Sequence, residues 1–438
     1  MPASSGAVSA RWPGEFGVWG AKTFLRPLQV FIAAPSLLFL AALTAMLLRH
    51  PDVQFYEIDR VAFGLLVVGV AVRAAVTRQM VFVAERATWP MIGLVALAFV
   101  SIAGQPFDHE TWSLLASKFI VPFALFHLAG LIFTTESRYR QFEIFALVIL
   151  AYLSFTAIAF LVGARSLIFP RFILDESLGF HKDRARGPLL QAVANGVSLN
   201  LLALLVLQGY RRGSVRGIKV LVVLASVPVA IVATMTRAVW LSFAGSVLAL
   251  IFLSGRRAFW RACLVLVMTC AVGFVILLNC DHYASELGDR LAERGPIDYR
   301  QAVYAGGWDM FMDRPWLGWG FHQMPAELPR HVSGYNEKIL YPHNTYLELV
   351  VEHGLLGLSL YLWLMWEMVK LGRGAIPSGE EDGFLGLSFH RVWPVLLAVY
   401  WANAAMVVMS YQFVNGLLFA LAGMLAAQRR RAQEGQPC

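Results

Sequence analysis

Apolar runs long enough to form membrane-crossing helices recur along this chain, each closed by a short polar or basic segment. A helix rising 1.5 Å per residue needs about 20 apolar residues to cross a roughly 30 Å hydrocarbon layer. Runs of that kind are read at about 28–48, 61–77, 89–104, 114–134, 143–163, 188–209, 218–235, 238–254, 261–279, 345–369, 392–409 and 411–427. The pattern predicts an all-α polytopic membrane protein with about 12 transmembrane helices. Residues 218–254 would form one continuous run, nearly twice what a single crossing requires, were it not for TMTR at 234–237. The chain must fold back there, which sets Arg237 at a membrane–water boundary. Two connecting segments are long, 164–187 and 280–343. The second predicts a small helical subdomain, since ELGDRLAERG and RQAVYAGGWDMFMD both have helical apolar spacing. The expected organisation is therefore an N-terminal segment 1–27, a bundle of about nine helices over 28–279, a large loop 280–343, three last helices over 344–427 and a basic tail 428–438.

Composition agrees: 58% of residues are hydrophobic and 15% charged, with a mean hydropathy of +0.61. The net charge of +8 does not point to nucleic acid, because the basic residues sit in short loops between the runs. They are topology signals. With the N-terminus inside, Arg73, Arg138, Arg211, Arg256, Arg373 and the closing Arg429, Arg430 and Arg431 fall inside, and both long loops fall outside. The first 27 residues show no basic segment, apolar core and small-residue cleavage site in series, so the first run is expected to act as its own insertion signal. The four cysteines have neither CxxC spacing nor the pattern of a disulfide framework.

Arg184, Arg186 and Arg237 share the outer boundary in this topology, and His343 joins them at the start of the tenth run. An arginine fork matches phosphate bidentately, so such a set suits a diphosphate. It equally suits snorkelling to lipid phosphates. His343 precedes Asn344 and Thr345, so it is either incidental to a helix cap or a general base acting on an acceptor hydroxyl. Glu348 and Glu352 follow within the next turns, where they could orient groups near the site or satisfy helix packing. Arg300, in the large loop, is a further supporting candidate. There is no GxxxxGK loop, no HExxH and no DxD-type pair in either outer segment. No metal and no cofactor are expected, and an enzyme of this kind needs a substrate carrying its own leaving group.

Three passages resemble the O-antigen ligase and polymerase superfamily of bacterial inner-membrane proteins. The first is DRPWLGWGFHQM at 313–324 followed by HNTYLELVVEHGLLGL at 343–358; the second is RARGPLLQAVANG at 184–196, in whose register Arg184 is the family arginine; the third is TMTRAVWLSF at 234–243, with Arg237 in the arginine position. Where members often have Asn-Pro or Gln-Pro-Asn, this chain has Leu190, Gln191 and Ala192. The resemblance implies a GT-C-like fold with its large loop in the periplasm. It also implies metal-independent, inverting transfer of a glycan from undecaprenyl diphosphate to an acceptor hydroxyl. His343 would be the base; Arg184, Arg237 or Arg186 would hold the diphosphate; Asn344, Glu348 and Arg300 would support them. The implied partners are the lipid-linked donor, a lipid A-core acceptor and membrane lipids. A polymerase of the same superfamily and a lipid-linked glycan transporter or flippase are the alternatives.

Overall fold

The structure is a computed structural model that describes residues 34–50, 58–77, 84–179, 183–253, 295–334 and 340–434. Those residues form helices and connecting segments, with no strand among them. In order they are α1 (Pro35–Leu47), α2 (Ile58–Thr77), α3 (Thr88–Ile102), α4 (His109–Ile132, with a π-helical turn at Ala116–Ile120), α5 (Glu136–Leu161), α6 (Ala192–Arg212), α7 (Ile218–Ala233), α8 (Arg237–Leu253), α9 (Gly295–Asp313), the short α10 (Met324–Glu327), α11 (Thr345–Leu371), α12 (Leu387–Ala404) and α13 (Gln412–Glu434).

Helices coincide with every predicted run except the one at 261–279, which lies outside the described residues, as does ELGDRLAERG. The expected count of about 12 spans is nevertheless not reached. By length and composition, 4 helices among the described residues are long and apolar enough to cross a membrane: α4, α5, α6 and α11. Helices α1, α3, α7 and α8 are apolar but shorter. The shortfall has local causes. Helix α1 opens on a proline and has 13 residues, and the turn after Ala233 cuts one apolar run into helices of 16 and 17 residues. Helices α2, α12 and α13 carry charge within their length, at Asp59, Arg73, Arg391 and Arg429 among others.

Helix α6 is the centre of the bundle, with 94% of its most apolar stretch buried. Its neighbours fix which ends lie together. Gln208, near the end of α6, donates to Phe384 O at 2.8 Å, just before α12 begins, so the two helices run antiparallel. Ser246 of α8 donates to Asn200 Oδ1 of α6 at 3.0 Å, and an added Cβ at Gly196 would fall 2.3 Å from Val239; α6 and α8 therefore run parallel. Tyr346 donates to Trp401 O at 3.0 Å and Trp393 to Met368 O at 2.8 Å, which makes α11 antiparallel to α12. The starts of α6, α8 and α11 and the end of α12 thus share one end of the bundle. The other end holds ion pairs such as Arg212–Glu143 at 2.6 Å and Arg431–Glu380 at 3.4 Å.

Candidate functional site

At the first of these ends, the segment before α6 is tied to the turn between α7 and α8. Ala185 N–H donates to Ala233 O at 3.0 Å, and Asn195 Nδ2 of α6 donates to Ala185 O at 2.9 Å. The segment carrying Arg184 is therefore bonded to the residue three places before Thr236 and four before Arg237. Thr234 and Thr236 shape that turn by returning their hydroxyls to Ile231 O and Thr234 O, both at 2.7 Å. Arg184 and Arg237 are half-buried, and Arg184 Nε lies 3.7 Å from Asp183 Oδ2.

Arg186 is differently used. Its side chain is buried and donates to Ile173 O at 3.0 and 3.1 Å and, by shorter bonds, to Leu178 O and Asp175 O. The guanidinium thereby ties together backbone carbonyls at and after the second short 3₁₀ turn of the 164–187 segment. An arginine so committed has no fork left to offer a diphosphate.

His343 sits just before α11, between α9 and the loop that follows α12. Its ring centroid is 5.9 Å from that of Tyr299. Arg300 is beside it, and Arg300 Nη1 reaches Met406 Sδ at 3.7 Å. Burial first, and the Arg300 charge second, lower the imidazole pKa below the ordinary histidine range. The ring is therefore neutral at neutral pH, the form that can accept a proton. His343 has φ of 46°, a left-handed conformation. Asn344 is the helix cap, accepting from Tyr346 N at 2.9 Å and Leu347 N at 3.2 Å. Thr345 fastens the helix start to the far loop, donating to Val407 O at 2.9 Å and accepting from Met409 N at 3.0 Å. The cap thus leaves the preceding histidine held out of the helix.

Deeper in α11 the helix breaks. Gly354 has φ of 61° and ψ of −161°, which only glycine adopts without strain. The backbone bonds lost there are replaced from the segment 315–320. Trp319 N and Gly320 N donate to Val351 O and Glu352 O, each at 2.9 Å, while Leu355 N and Leu356 N donate to Pro315 O and Trp316 O at 2.8 and 3.3 Å. A Cβ at Gly354 would meet the Trp316 carbonyl carbon at 2.3 Å, and one at Gly318 the Val351 oxygen at 2.4 Å. Gly354→Ala is expected to cost about 3 kcal/mol or more through backbone strain and overlap. Thermal unfolding in detergent checks it: a melting temperature within 2 °C of wild type, taken as roughly the effect of under 1 kcal/mol, would remove this account.

Beside the break lies a buried ionisable group. Lys118 Nζ is 2.8 Å from Glu348 Oε2, with the two side chains 8% and 9% exposed. Glu352 and His353 are buried on the next turn of α11, and neither ring nitrogen of His353 has a hydrogen-bond partner among the described residues. The His353 ring stacks on Phe321 with centroids 5.9 Å apart. Lys118 belongs to the π-helical turn of α4, which rotates that face out of simple helical register. Glu348 is thus paired inside the bundle, not free to serve His343. Lys118 is the residue that sequence reasoning passes over; the available signal is a lone lysine inside an apolar run. Among the described residues no three of His, Cys, Asp or Glu converge as a metal site requires.

Residues 220–362 match the family model described as O-antigen ligase. That stretch contains Arg237, Arg300, His343, Asn344, Glu348 and both glycines of the helix break; Arg184 and Arg186 precede it. No curated protein matches the chain.

Proposed function

We propose that this protein is an O-antigen ligase, transferring a glycan from undecaprenyl diphosphate to a hydroxyl of the lipid A-core at the periplasmic face of the bacterial inner membrane. The observation that carries the reading is the backbone tie between the Arg184 segment and the Arg237 turn, at the same end of the bundle as His343. His343 takes the proton of the acceptor hydroxyl. The hydroxyl oxygen bonds to the anomeric carbon as the carbon–oxygen bond to the diphosphate breaks, with inversion. Arg184 and Arg237 neutralise the departing diphosphate, and Arg186 holds the 164–187 segment in shape. Burial, with Arg300 beside it, keeps His343 unprotonated. The shorter apolar helices add crossings of their own to those of the longer ones, with both termini in the cytoplasm.

Reconstitution decides the activity. Purified protein is given lipid-linked glycan with lipid A-core in one reaction and a second lipid-linked repeat in another. Product on the core alone is expected; product on the lipid-linked repeat alone makes the protein a polymerase, and movement of donor between leaflets with no transfer makes it a flippase. In the same assay, transfer is expected to persist in excess EDTA, because two arginines can carry the leaving-group charge. Loss of activity on chelation, restored by Mg²⁺ or Mn²⁺, removes the arginine-only account.

Orientation is tested separately at Ser333, which is exposed beyond α10. A cysteine placed there is expected to react with an impermeant thiol reagent in cells whose inner membrane is intact. Reaction only after that membrane is opened would put the whole site on the wrong side.

A further inference from the structure

The segment 184–191 has a second face. Beyond Arg184 and the Ala185 tie, its residues Leu190 and Gln191 wall a cavity of about 470 Å³, within the roughly 300–1,000 Å³ usual for small-molecule sites. The opposite wall is Ser410, Tyr411 and Gln412, which continue the loop whose Val407 and Met409 clasp Thr345, two residues after His343. Tyr411 and Gln191 both line it, from the two sides of the sequence that meet there. The cavity therefore lies between the continuation of the segment that carries Arg184 and the loop that is bonded to Thr345, two residues after His343. From Arg184 to Leu189 the chain can extend no more than about 18 Å, so a group attached to a diphosphate at Arg184 is within reach of it.

Its lining selects a class of ligand. Arg49, Glu110, Ser113, Ser117, Gln191 and Gln412 contribute polar side chains from four separate parts of the chain, over a floor of Leu47, Leu114 and Leu190. Charge is balanced: Arg49 already faces Asp59 at 3.7 Å, and the lining also holds the carboxylate of Glu110, whose Oε1 lies 3.8 Å from His322 Nε2. A diphosphate needs net positive charge and a lipid tail needs an apolar wall, and neither describes this cavity. Hydroxyl and amide groups over an aliphatic floor match a saccharide, which presents hydroxyls at its edge and C–H groups on its face. Ser113 Oγ is 3.4 Å from Arg60 Nη2, which holds that hydroxyl in place.

We infer that this cavity is a saccharide-binding subsite, formed by the first turns of α4, the segment before α6 and the loop before α13, that seats one of the two glycans during transfer. The inference rests on the glycan-transfer reading above. The saccharide comes either from the donor, next to its diphosphate, or from the acceptor oligosaccharide.

The test uses the full-length protein in lipid nanodiscs with two soluble probes, the core oligosaccharide freed of lipid and the glycan repeat cleaved from its carrier. Saturation-transfer NMR reads binding, and steady-state transfer reads KM for each parent substrate. Ser113→Trp fills the cavity; Glu110→Gln removes a charged acceptor whose side chain is 72% exposed, so it is tolerated by folding. Ser113→Trp is expected to abolish binding of one probe and raise KM for its parent substrate at least roughly tenfold, leaving the other unchanged, which assigns the source. Glu110→Gln should weaken the same probe about tenfold, as loss of a charged hydrogen bond does. Unchanged binding and KM for both probes in Glu110→Gln, and in Ser113→Trp if it folds, overturns the subsite while transfer stands. Probe binding that both variants lose, in a protein with no transfer activity, keeps the subsite and overturns the transfer reading.

Discussion

Replacing His343 with asparagine lowers the single-turnover rate of glycan transfer by roughly 10²–10⁴, the usual contribution of general acid–base catalysis, with donor affinity nearly unchanged. Asparagine is the informative substitution because position 343 has φ of 46°, and asparagine tolerates that region better than alanine does. His343→Ala loses the imidazole and adds backbone strain beside the Asn344 cap, so it should be the less stable of the two. The pH profile gives an independent reading. The base acts in its neutral form, and burial with Arg300 lowers its pKa. The rate should therefore be flat through neutrality and fall only in acid, below the range of a free imidazole. Arg300→Gln removes one cause of that shift, so the acid limb should move to higher pH. The arginines act at a different stage. Arg184→Ala and Arg237→Ala should weaken donor binding as well as turnover, and lysine should rescue them only in part because it lacks the bidentate fork. A His343→Asn protein that loses donor binding but turns over normally at saturation would make the histidine a phosphate ligand, not a base.

Lys118→Met should be the most destabilising of the charge substitutions, by about 3–5 kcal/mol, because it leaves the Glu348 carboxylate buried without its cation. Lys118 and Glu348 are 2.8 Å apart with side chains at most 9% exposed, so solvent cannot take over. Lys118→Met combined with Glu348→Gln should recover most of that loss, since the double variant buries no unpaired charge. Equilibrium unfolding of the two singles and the double in detergent measures the coupling directly. If the double variant is no more stable than Lys118→Met alone, the pair contributes nothing as a pair, and the π-helical turn that presents Lys118 needs another explanation.

The parts of the fold that depend on local pattern are legible in the amino-acid sequence. The apolar runs locate the helices, TMTR locates the turn between α7 and α8, and Asn344 marks the start of α11, because each is decided by a few adjacent residues. What is not legible depends on partners far away in the chain. The residues alone leave the two arginines of RARG alike, and only a resemblance prefers Arg184; the physical difference is that Ile173, Asp175 and Leu178 claim Arg186. Glu348 reads as a neighbour of His343 because they are five residues apart, yet its partner is Lys118, 230 positions earlier, brought round by a π-helical turn that periodicity does not register. The count of membrane-length spans among the described residues falls short for a related reason. Hydropathy counts apolar residues, whereas the length of a helix depends on where a proline, a turn or a charge interrupts it.

The break in α11 also has a consequence for biogenesis. Four backbone groups of Val351, Glu352, Leu355 and Leu356 lack helical partners and are completed by residues 315–320. In hydrocarbon each such group left open costs several kcal/mol, so α11 on its own is a poor substrate for lateral release into lipid. The segment that completes it lies upstream and emerges from the ribosome first. Synthesis in the N-to-C direction therefore delivers the splint before the helix that needs it, and the order of the two motifs in the gene matches the order in which the membrane can accept them. Exchanging that order, by circular permutation between residues 320 and 345, would ask the translocation machinery to release a helix whose missing bonds have not yet been made.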